Sequence, residues 1–330
     1  MKNYEEAVGI DVSKKTLDAL CHHAQVHAVF SNDIKGYKAL IKWVLKVVKT
    51  DKVFYCFENT GYYSLKLAIY LHAQGLAYIE ESPLKIKRSS GIVKEKNDRL
   101  DASIIARYAW LYKDELSPSI VKSVSHLELG RLLALRDQLV RNRAGLKGTL
   151  KELQALLSSP TTDTGCISLA RSIAYLKKQI EGIESRITDI ITSDLAMSKN
   201  YDLLTTMRGI GFVLASQLIY HTANFTRFRS WRAFSSYCGT APFEYSSGTS
   251  IHRRKQCHYL GDRKMKSLLS MASISAIQHD SELRLYYKRK VSEGKDKMIA
   301  INNVRNKLLA RAFAVVKRGT PYVELQQYAA

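Results

Sequence analysis

One short stretch does most to limit how this chain can fold: Val8-Gly9-Ile10-Asp11-Val12-Ser13. It reads as a buried strand carrying one carboxylate, with a small residue before it and a polar turn after it. A carboxylate among apolar strand residues must be neutralised, hydrogen-bonded or bound to a metal, because an isolated buried charge is very costly. Three further acidic residues can meet it: Glu58, Asp98 and Asp101. Any one of them alone would pass for a strand end or a helix cap. Taken together they point to a metal cage.

The order of elements around this stretch predicts an α/β fold with a mixed sheet. Residues 7–12 are expected to form a strand, followed by strands over 16–21 and 27–31 in a meander. Apolar residues at Leu40, Ile41, Val44, Leu45 and Val48 recur with a helical period. A strand over 53–57 ends at Glu58, Gly61 breaks it, and helical and strand patterns follow over 62–74 and 76–80. The stretch 83–96, with Lys85, Lys87, Arg88, Lys94 and Lys96, reads as a basic loop, and a helix is expected over 98–112. Asp98 and Asp101, three apart, then share one helix face, and Asp11 and Glu58 can approach that face from the sheet. Hard oxygen donors without histidine or cysteine suit Mg²⁺ or Mn²⁺ rather than zinc. Without a metal, four close carboxylates would repel one another and hold one another's pKa values up. His22, His23 and His27 are loosely spaced and read as a surface cluster.

Charge narrows the partner. Of 330 residues, 51 are Lys or Arg and 30 Asp or Glu, a formal net charge of +21. Residues 193–330 alone hold 22 against 9, net +13, whereas the acidic cluster lies in the first 120. This pattern implies a polyanion, DNA or RNA alike, gripped mainly by the C-terminal part. No apolar run approaches the roughly 20 residues of a membrane span, and Met1-Lys2-Asn3-Tyr4-Glu5-Glu6 is too charged for a signal peptide. A cytoplasmic, nucleoid-associated protein with no membrane partner is therefore expected. The five scattered cysteines form no C-x-x-C and read as reduced thiols.

Residues 127–191 change character. Leucines at 132, 135, 139, 146, 150, 153 and 157, and isoleucine or leucine at 173, 176, 180, 183, 187 and 190, mark a helical hairpin with coiled-coil periodicity. Turn residues at Ser158–Gly165 separate its arms. The seam is either an internal strut or an interface with another chain. Beyond it, Arg208-Gly209-Ile210-Gly211 lies between helical patterns. Paired glycines there either admit a phosphate, as in helix–hairpin–helix DNA binders, or simply break a helix. Pro242–Ser250 reads as a hydroxyl-rich loop, backed by Arg253, Arg254, Lys255, Arg263, Lys264 and Lys266. Such a loop is commonly a plain turn, though a serine among cations can also attack a phosphodiester.

Several short motifs together resemble a known family. They are Gly9-Ile10-Asp11, Glu58-Asn59-Thr60-Gly61-Tyr62, Asn97-Asp98-Arg99-Leu100-Asp101-Ala102, Arg208-Gly209-Ile210-Gly211 and Tyr245-Ser246-Ser247-Gly248. Their order and distances resemble the DEDD insertion-sequence transposases with a serine recombinase site, which are related to the Piv-type DNA invertases and include the bridge-RNA-guided recombinases. The resemblance implies a RuvC-like, ribonuclease H-like domain over 1–125 with Asp11, Glu58, Asp98 and Asp101 binding magnesium. It further implies a coiled-coil hairpin over 126–195 and a mainly helical transposase domain over 196–330 whose nucleophile is Ser247, the serine immediately before the glycine. Ser246 stands where some relatives carry an acid, and Thr249 and Ser250 are rival hydroxyls.

A covalent serine ester would conserve the phosphodiester energy that hydrolysis discards. That matters here because the chain contains no G-x-x-x-x-G-K-[ST] loop to bring in a nucleotide energy source. The expectation is a recombinase acting on donor and target double-stranded DNA with a structured guide RNA, as a homodimer or homotetramer. Its site would be composite, Ser247 with the carboxylates, formed within one chain or between two. The rivals are a guide-free invertase, a RuvC-like Mg²⁺-dependent nuclease, and a basic scaffold with a dead acidic site.

Overall fold

The computed structural model describes residues 3–91, 97–119, 123–247 and 251–323, with the backbone alone described at 245–247 and 251–254. Lys94, Lys96, Gly248, Thr249 and Ser250 lie outside the described residues. The chain divides into two compact units, Met1–Lys122 and Ser123–Ala330.

The first unit is built on a five-stranded mixed sheet. Strands β1 (Glu6–Val12), β2 (Thr16–Cys21) and β3 (His27–Ser31) form an antiparallel meander. Helix α1 (Ile34–Val48) follows, its first turn capped by Asp33, which accepts a hydrogen bond from the Gly36 amide. Strand β4 (Val53–Glu58) returns parallel to β1, helix α2 (Tyr62–Ala73) crosses over, and β5 (Tyr78–Glu81) lies parallel to β4. The spatial order is β3-β2-β1-β4-β5.

Helix α3 (Pro83–Ser89) occupies the start of the stretch expected to be a loop. Pro83 sits at its first turn, where a missing N–H costs nothing, and only Ile86 of the helix is buried. Its two large apolar residues, Leu84 and Ile86, are two apart and not three or four, so no helical period shows in the sequence. Helix α4 (Asp98–Leu111) completes the unit.

Period-two alternation sorts the strands onto two faces. Val8, Ile10 and Val12 of β1 and Val53, Tyr55 and Phe57 of β4 pack in one core with Leu40 and Val44 of α1 and Leu67 and Leu71 of α2. Ala7, Phe54 and Cys56 face the other way, into a core with Ile105, Tyr108 and Ala109 of α4. Each large apolar side chain buried this way contributes about 1.5–3 kcal/mol. The same alternation puts Gly9 and Asp11 of β1, and Glu58 of β4, on the α4 face.

Gly9 sets the distance between sheet and helix. A Cβ there would lie 2.2 Å from the Ala106 nitrogen and 2.3 Å from the Ala102 oxygen, both backbone atoms of α4. The helix therefore rests directly on β1, one pleat away from Asp11.

The second unit begins with two long helices, α5 (Val124–Leu156) and α6 (Thr164–Ser193), which form a hairpin joined through the expected turn. Arg136 of α5 bonds Glu184 of α6 at 2.6 Å, and Arg186 bonds Glu128 at 2.9 Å. At the base of the hairpin Leu129, Leu133, Ile187, Ile190 and Ile191 are buried in the core of the unit. Toward the turn, Leu146, Leu150, Leu153, Ile173 and Leu176 are only half-buried.

That core continues through α7 (Leu195–Thr205), α8 (Phe212–Thr222), α9 (Trp231–Tyr237), α10 (Arg263–His279), α11 (Ser281–Ser292) and α12 (Lys297–Arg318). Between α9 and α10 the chain forms a β-hairpin, β6 (Pro242–Ser247) and β7 (Ile251–Cys257), where a loop was expected. Its serines have low strand propensity, so pairing with the partner strand decides the conformation. Register runs from Pro242↔Cys257 to Ser247↔Ile251. At its foot Gly239 and Gly261 meet face to face: a Cβ on Gly261 would lie 2.2 Å from the Gly239 Cα. Thr240 is fixed beside them, its carbonyl accepting hydrogen bonds from Asn302 (2.9 Å) and Asn306 (3.0 Å) of α12.

Candidate metal centre and nucleic-acid-binding residues

The fold draws three of the four sequence-predicted carboxylates together. One ligand oxygen each from Asp11, Asp98 and Asp101 lies within 4.8 Å of the others, a spacing that could hold a metal ion. Local sequence explains how. Asn97 caps α4 by accepting a hydrogen bond from the Leu100 amide at 2.8 Å, so the helix begins at Asp98. Asp98 and Asp101 then share its first turn and one face, where the positive end of the helix dipole favours anions. Close packing of α4 on Gly9 brings that turn to Asp11.

Glu58, at the end of β4, stands outside this tight triplet but within its field. Burial pushes its carboxyl up, and the charges of Asp11 and Asp101 add to the effect. Asp11 is the most perturbed of the four. Burial, then Asp101, Asp98 and Asp18, push its pKa up to about 6, against a hydrogen bond from the Val12 amide. No Lys or Arg makes an ion pair with Asp11, Glu58, Asp98 or Asp101 among the described residues. Oxygen-only donors that converge while repelling one another fit a hard divalent cation such as Mg²⁺ or Mn²⁺.

Asp18 is a neighbour that sequence reasoning missed. It lies directly opposite Asp11 across the β1–β2 ladder, is 8 % exposed, and bonds His27 Nε2 at 3.0 Å. The signal was present in the turn: a two-residue connection at Lys14-Lys15 between Ser13 and Thr16 sets Asp11 opposite Asp18. The other histidines are structural. His22 and His23 pack on Trp110, and the buried Glu6 carboxylate accepts a hydrogen bond from the His23 amide at 3.0 Å. The cysteines are free, and burial pushes the Cys21 thiol up to about 12.

The predicted nucleic-acid contacts fare differently from one another. Gly209 adopts φ +88°, and a Cβ there would come within 2.5 Å of the Ala272 oxygen of α10. Packing against α10 therefore accounts for this glycine. Gly211 faces open space at the N-terminus of α8, and Arg208 is exposed beside it. Lys264 is engaged by Asp137 of α5 and Lys255 by Glu244 across the hairpin. Arg263 and Lys266 open the next helix, α10, and carry no ion pair among the described residues. The backbones of Arg253, Arg254 and Ser247 lie in the hairpin; their side chains are outside the described residues.

Comparison with known proteins agrees with this architecture. An IS110-type DEDD transposase model matches residues 8–158, a span that contains all four carboxylates. A second model, "Transposase IS116/IS110/IS902 family", matches residues 201–288, which contain the glycine turn and the hairpin. The pilin gene-inverting protein of Moraxella bovis is 27 % identical over 322 residues, covering 96 % of this chain and 97 % of that protein. Its counterpart in Moraxella lacunata aligns with the same identity and coverage. An uncharacterized 43.6 kDa protein of insertion element IS110 from Streptomyces coelicolor is 26 % identical over 227 residues, 68 % of this chain and 54 % of that one. The first family match covers the first unit from residue 8 and runs on through α5, the second lies within the second unit, and the chain belongs to the IS110 family of DEDD transposases, enzymes of DNA transposition and recombination.

Proposed function

We propose that this recombinase cuts and rejoins donor and target DNA through a covalent ester at Ser247, assisted by divalent cations held by Asp11, Glu58, Asp98 and Asp101. The observation that carries the reading is the convergence of Asp11, Asp98 and Asp101 within 4.8 Å, without an ion pair to any of them among the described residues. Bound there, Mg²⁺ or Mn²⁺ supplies Lewis-acid stabilisation of charge on the attacking and leaving oxygens.

The residues divide the work. Asp98 and Asp101 place two carboxylates on one helix turn, Asp11 fixes a third from the sheet, and Glu58 adds the fourth at the edge. Ser247 Oγ attacks phosphorus and loses its proton. As the Ser–O–P bond forms, one P–O bond of the DNA breaks, and the departing DNA oxygen takes up a proton. Attack by a hydroxyl of a second DNA end reverses the exchange and frees the serine. One phosphodiester is broken for each one made, so no external energy source is required.

The net +13 charge of residues 193–330 suits DNA and RNA alike, and the resemblance to the bridge-RNA-guided recombinases adds a structured guide RNA beside the DNA. The half-buried seam toward the turn of the α5–α6 hairpin supports coiled-coil association into a homodimer or homotetramer. By role, the chain divides into a RuvC-like catalytic part (1–125), the hairpin (126–195) and a transposase part (196–330). Full-length likeness to the pilin gene-inverting protein favours a second reading, a guide-free DNA invertase using the same chemistry.

The test is to incubate the protein with labelled DNA and Mg²⁺ and to trap the product under denaturing conditions. A protein–DNA adduct lost in Ser247→Ala is expected. Divalent-dependent cutting that persists in Ser247→Ala would leave a nuclease instead. RNA co-purified with the protein and directing exchange between two duplexes decides between guided and guide-free action.

A further inference from the structure

A buried cation in the second unit has no counter-charge. Arg305 of α12 is 5 % exposed, yet its buried Nε–H has no hydrogen-bond partner. Its Nη1 donates to the Asn302 side-chain oxygen at 3.2 Å, and no carboxylate pairs with it among the described residues. A guanidinium N–H left unmade is more costly than a neutral one, and each such group in a folded protein calls for an explanation.

Arg311, two turns further along α12, shows the ordinary solution. It bonds Asp280 at 3.0 Å and Glu282 at 2.6 Å.

Arg305 lines a cleft of about 860 Å³ bounded by the foot of the β6–β7 hairpin and the first turns of α10 and α12. Arg263, Lys266 and Lys295 line it too, and among the described residues none of the three makes an ion pair. Two acids share the lining, but both are engaged. Glu293 binds Lys290 at 2.6 Å, and Asp296 caps α12 by accepting from the Met298 amide at 2.8 Å. The cleft therefore offers a fork-shaped buried donor and three cations without an ion pair among the described residues. This set matches the oxygens of a phosphodiester.

We propose that this cleft is a phosphodiester-binding site, with Arg305 as its buried anchor and Arg263, Lys266 and Lys295 around it. The proposal rests on the DNA-recombinase reading and adds a place where the strand is held. Pro242 at the cleft and Ser247 are five residues apart on one strand, about 16 Å. The phosphate held here is thus a flanking one and not the one attacked. Gly239 and Gly261, locked face to face at the hairpin foot, keep the two places in fixed register.

The test is equilibrium binding of the full chain to a DNA duplex and, separately, to an RNA of the same sequence, over a range of salt with EDTA present. Wild type is compared with Lys266→Ala/Lys295→Ala, which alters the cleft's uncommitted lysines without removing a buried group, and with Arg305→Gln. Lys46→Ala on α1 is the charge control. We expect the double variant to bind about tenfold more weakly, with its log–log salt slope smaller by about one, and Arg305→Gln to follow it. An effect on DNA alone or RNA alone supports the site and identifies its strand. Unchanged affinity and slope of the double variant on both nucleic acids overturns the proposal. Because these readings need no catalysis, failure to form a Ser247 adduct would count against the recombinase reading and leave the cleft result intact.

Discussion

The two units leave charge unbalanced in opposite senses. In the first, Asp11, Asp98 and Asp101 converge and repel, and the Asp11 carboxyl is pushed up to about 6. In the second, Arg305 is buried beside three cations, and among the described residues none of the four has a carboxylate partner. Yet each unit also shows a buried charge handled the ordinary way. Glu81 of β5 accepts hydrogen bonds from Tyr108 and Lys85, and Asp280 from Leu283, Arg311 and Tyr322. Glu81 and Asp280 each have a cationic partner; Asp11, Asp98 and Asp101 have none among the described residues. The contrast separates residues whose charges are balanced within the fold from those on which the proposed metal and phosphodiester sites rest.

The largest effect should come from breaking a satisfied group. Asp280→Ala leaves Arg311 with Glu282 alone, removes the acceptor of Tyr322 and uncaps α11, and should cost about 3 kcal/mol of stability, read as a large drop in denaturant midpoint. Asp11→Ala should unfold no more easily than wild type. A destabilised Asp11→Ala would erase the distinction.

Next in size is Gly9→Ala. The added methyl meets backbone atoms of α4, which cannot swing aside as a side chain could. We expect a loss of about 1–3 kcal/mol, together with weaker Mn²⁺ binding as the first turn of α4 is displaced from Asp11. Loss of stability with unchanged Mn²⁺ affinity would show that close packing does not position the cluster.

The smallest effect sharpens the comparison through pH. The folded pKa of Asp11, about 6, lies above the ordinary value of 3.8, so the folded state holds this proton more tightly. That contribution is full below about pH 4 and is lost as pH rises through 6. It amounts to about 1–2 kcal/mol once solvent screening at this partly open site is allowed for. Metal-free protein should therefore lose stability across this window in chemical denaturation, and Asp11→Asn should flatten the trend. Added Mg²⁺ should oppose it, because the cation binds the deprotonated site.

Much of the first unit was legible because its elements announce themselves locally. Short, mainly apolar runs in 7–12, 16–21 and 53–57 mark the strands. The 3.6 period marks α1, and Asn97 before Asp98 marks the start of α4. The carboxylates were legible for the same reason: strand parity and an i, i+3 spacing determine which way they face. What escaped depends on contacts between distant residues. The β6–β7 hairpin is serine- and cation-rich and becomes a strand pair only through its partner and the Gly239–Gly261 contact. Gly209 looked like a phosphate-binding glycine, but α10, some 60 residues away in sequence, accounts for it. Arg305 resembles every other basic residue of α12 until burial distinguishes it from Arg311.

The claim on which the rest stands is that Asp11, Asp98 and Asp101 hold a divalent cation. Titrating Mn²⁺ into the wild type and into Asp11→Asn, Asp101→Asn and, as a control, Asp18→Asn, followed by calorimetry or the paramagnetic signal of free Mn²⁺, measures it directly. The account predicts saturable binding that tightens from pH 5 to 7, is abolished by either of the first two substitutions and survives the third. Equal Mn²⁺ binding by wild type, Asp11→Asn and Asp101→Asn would contradict it.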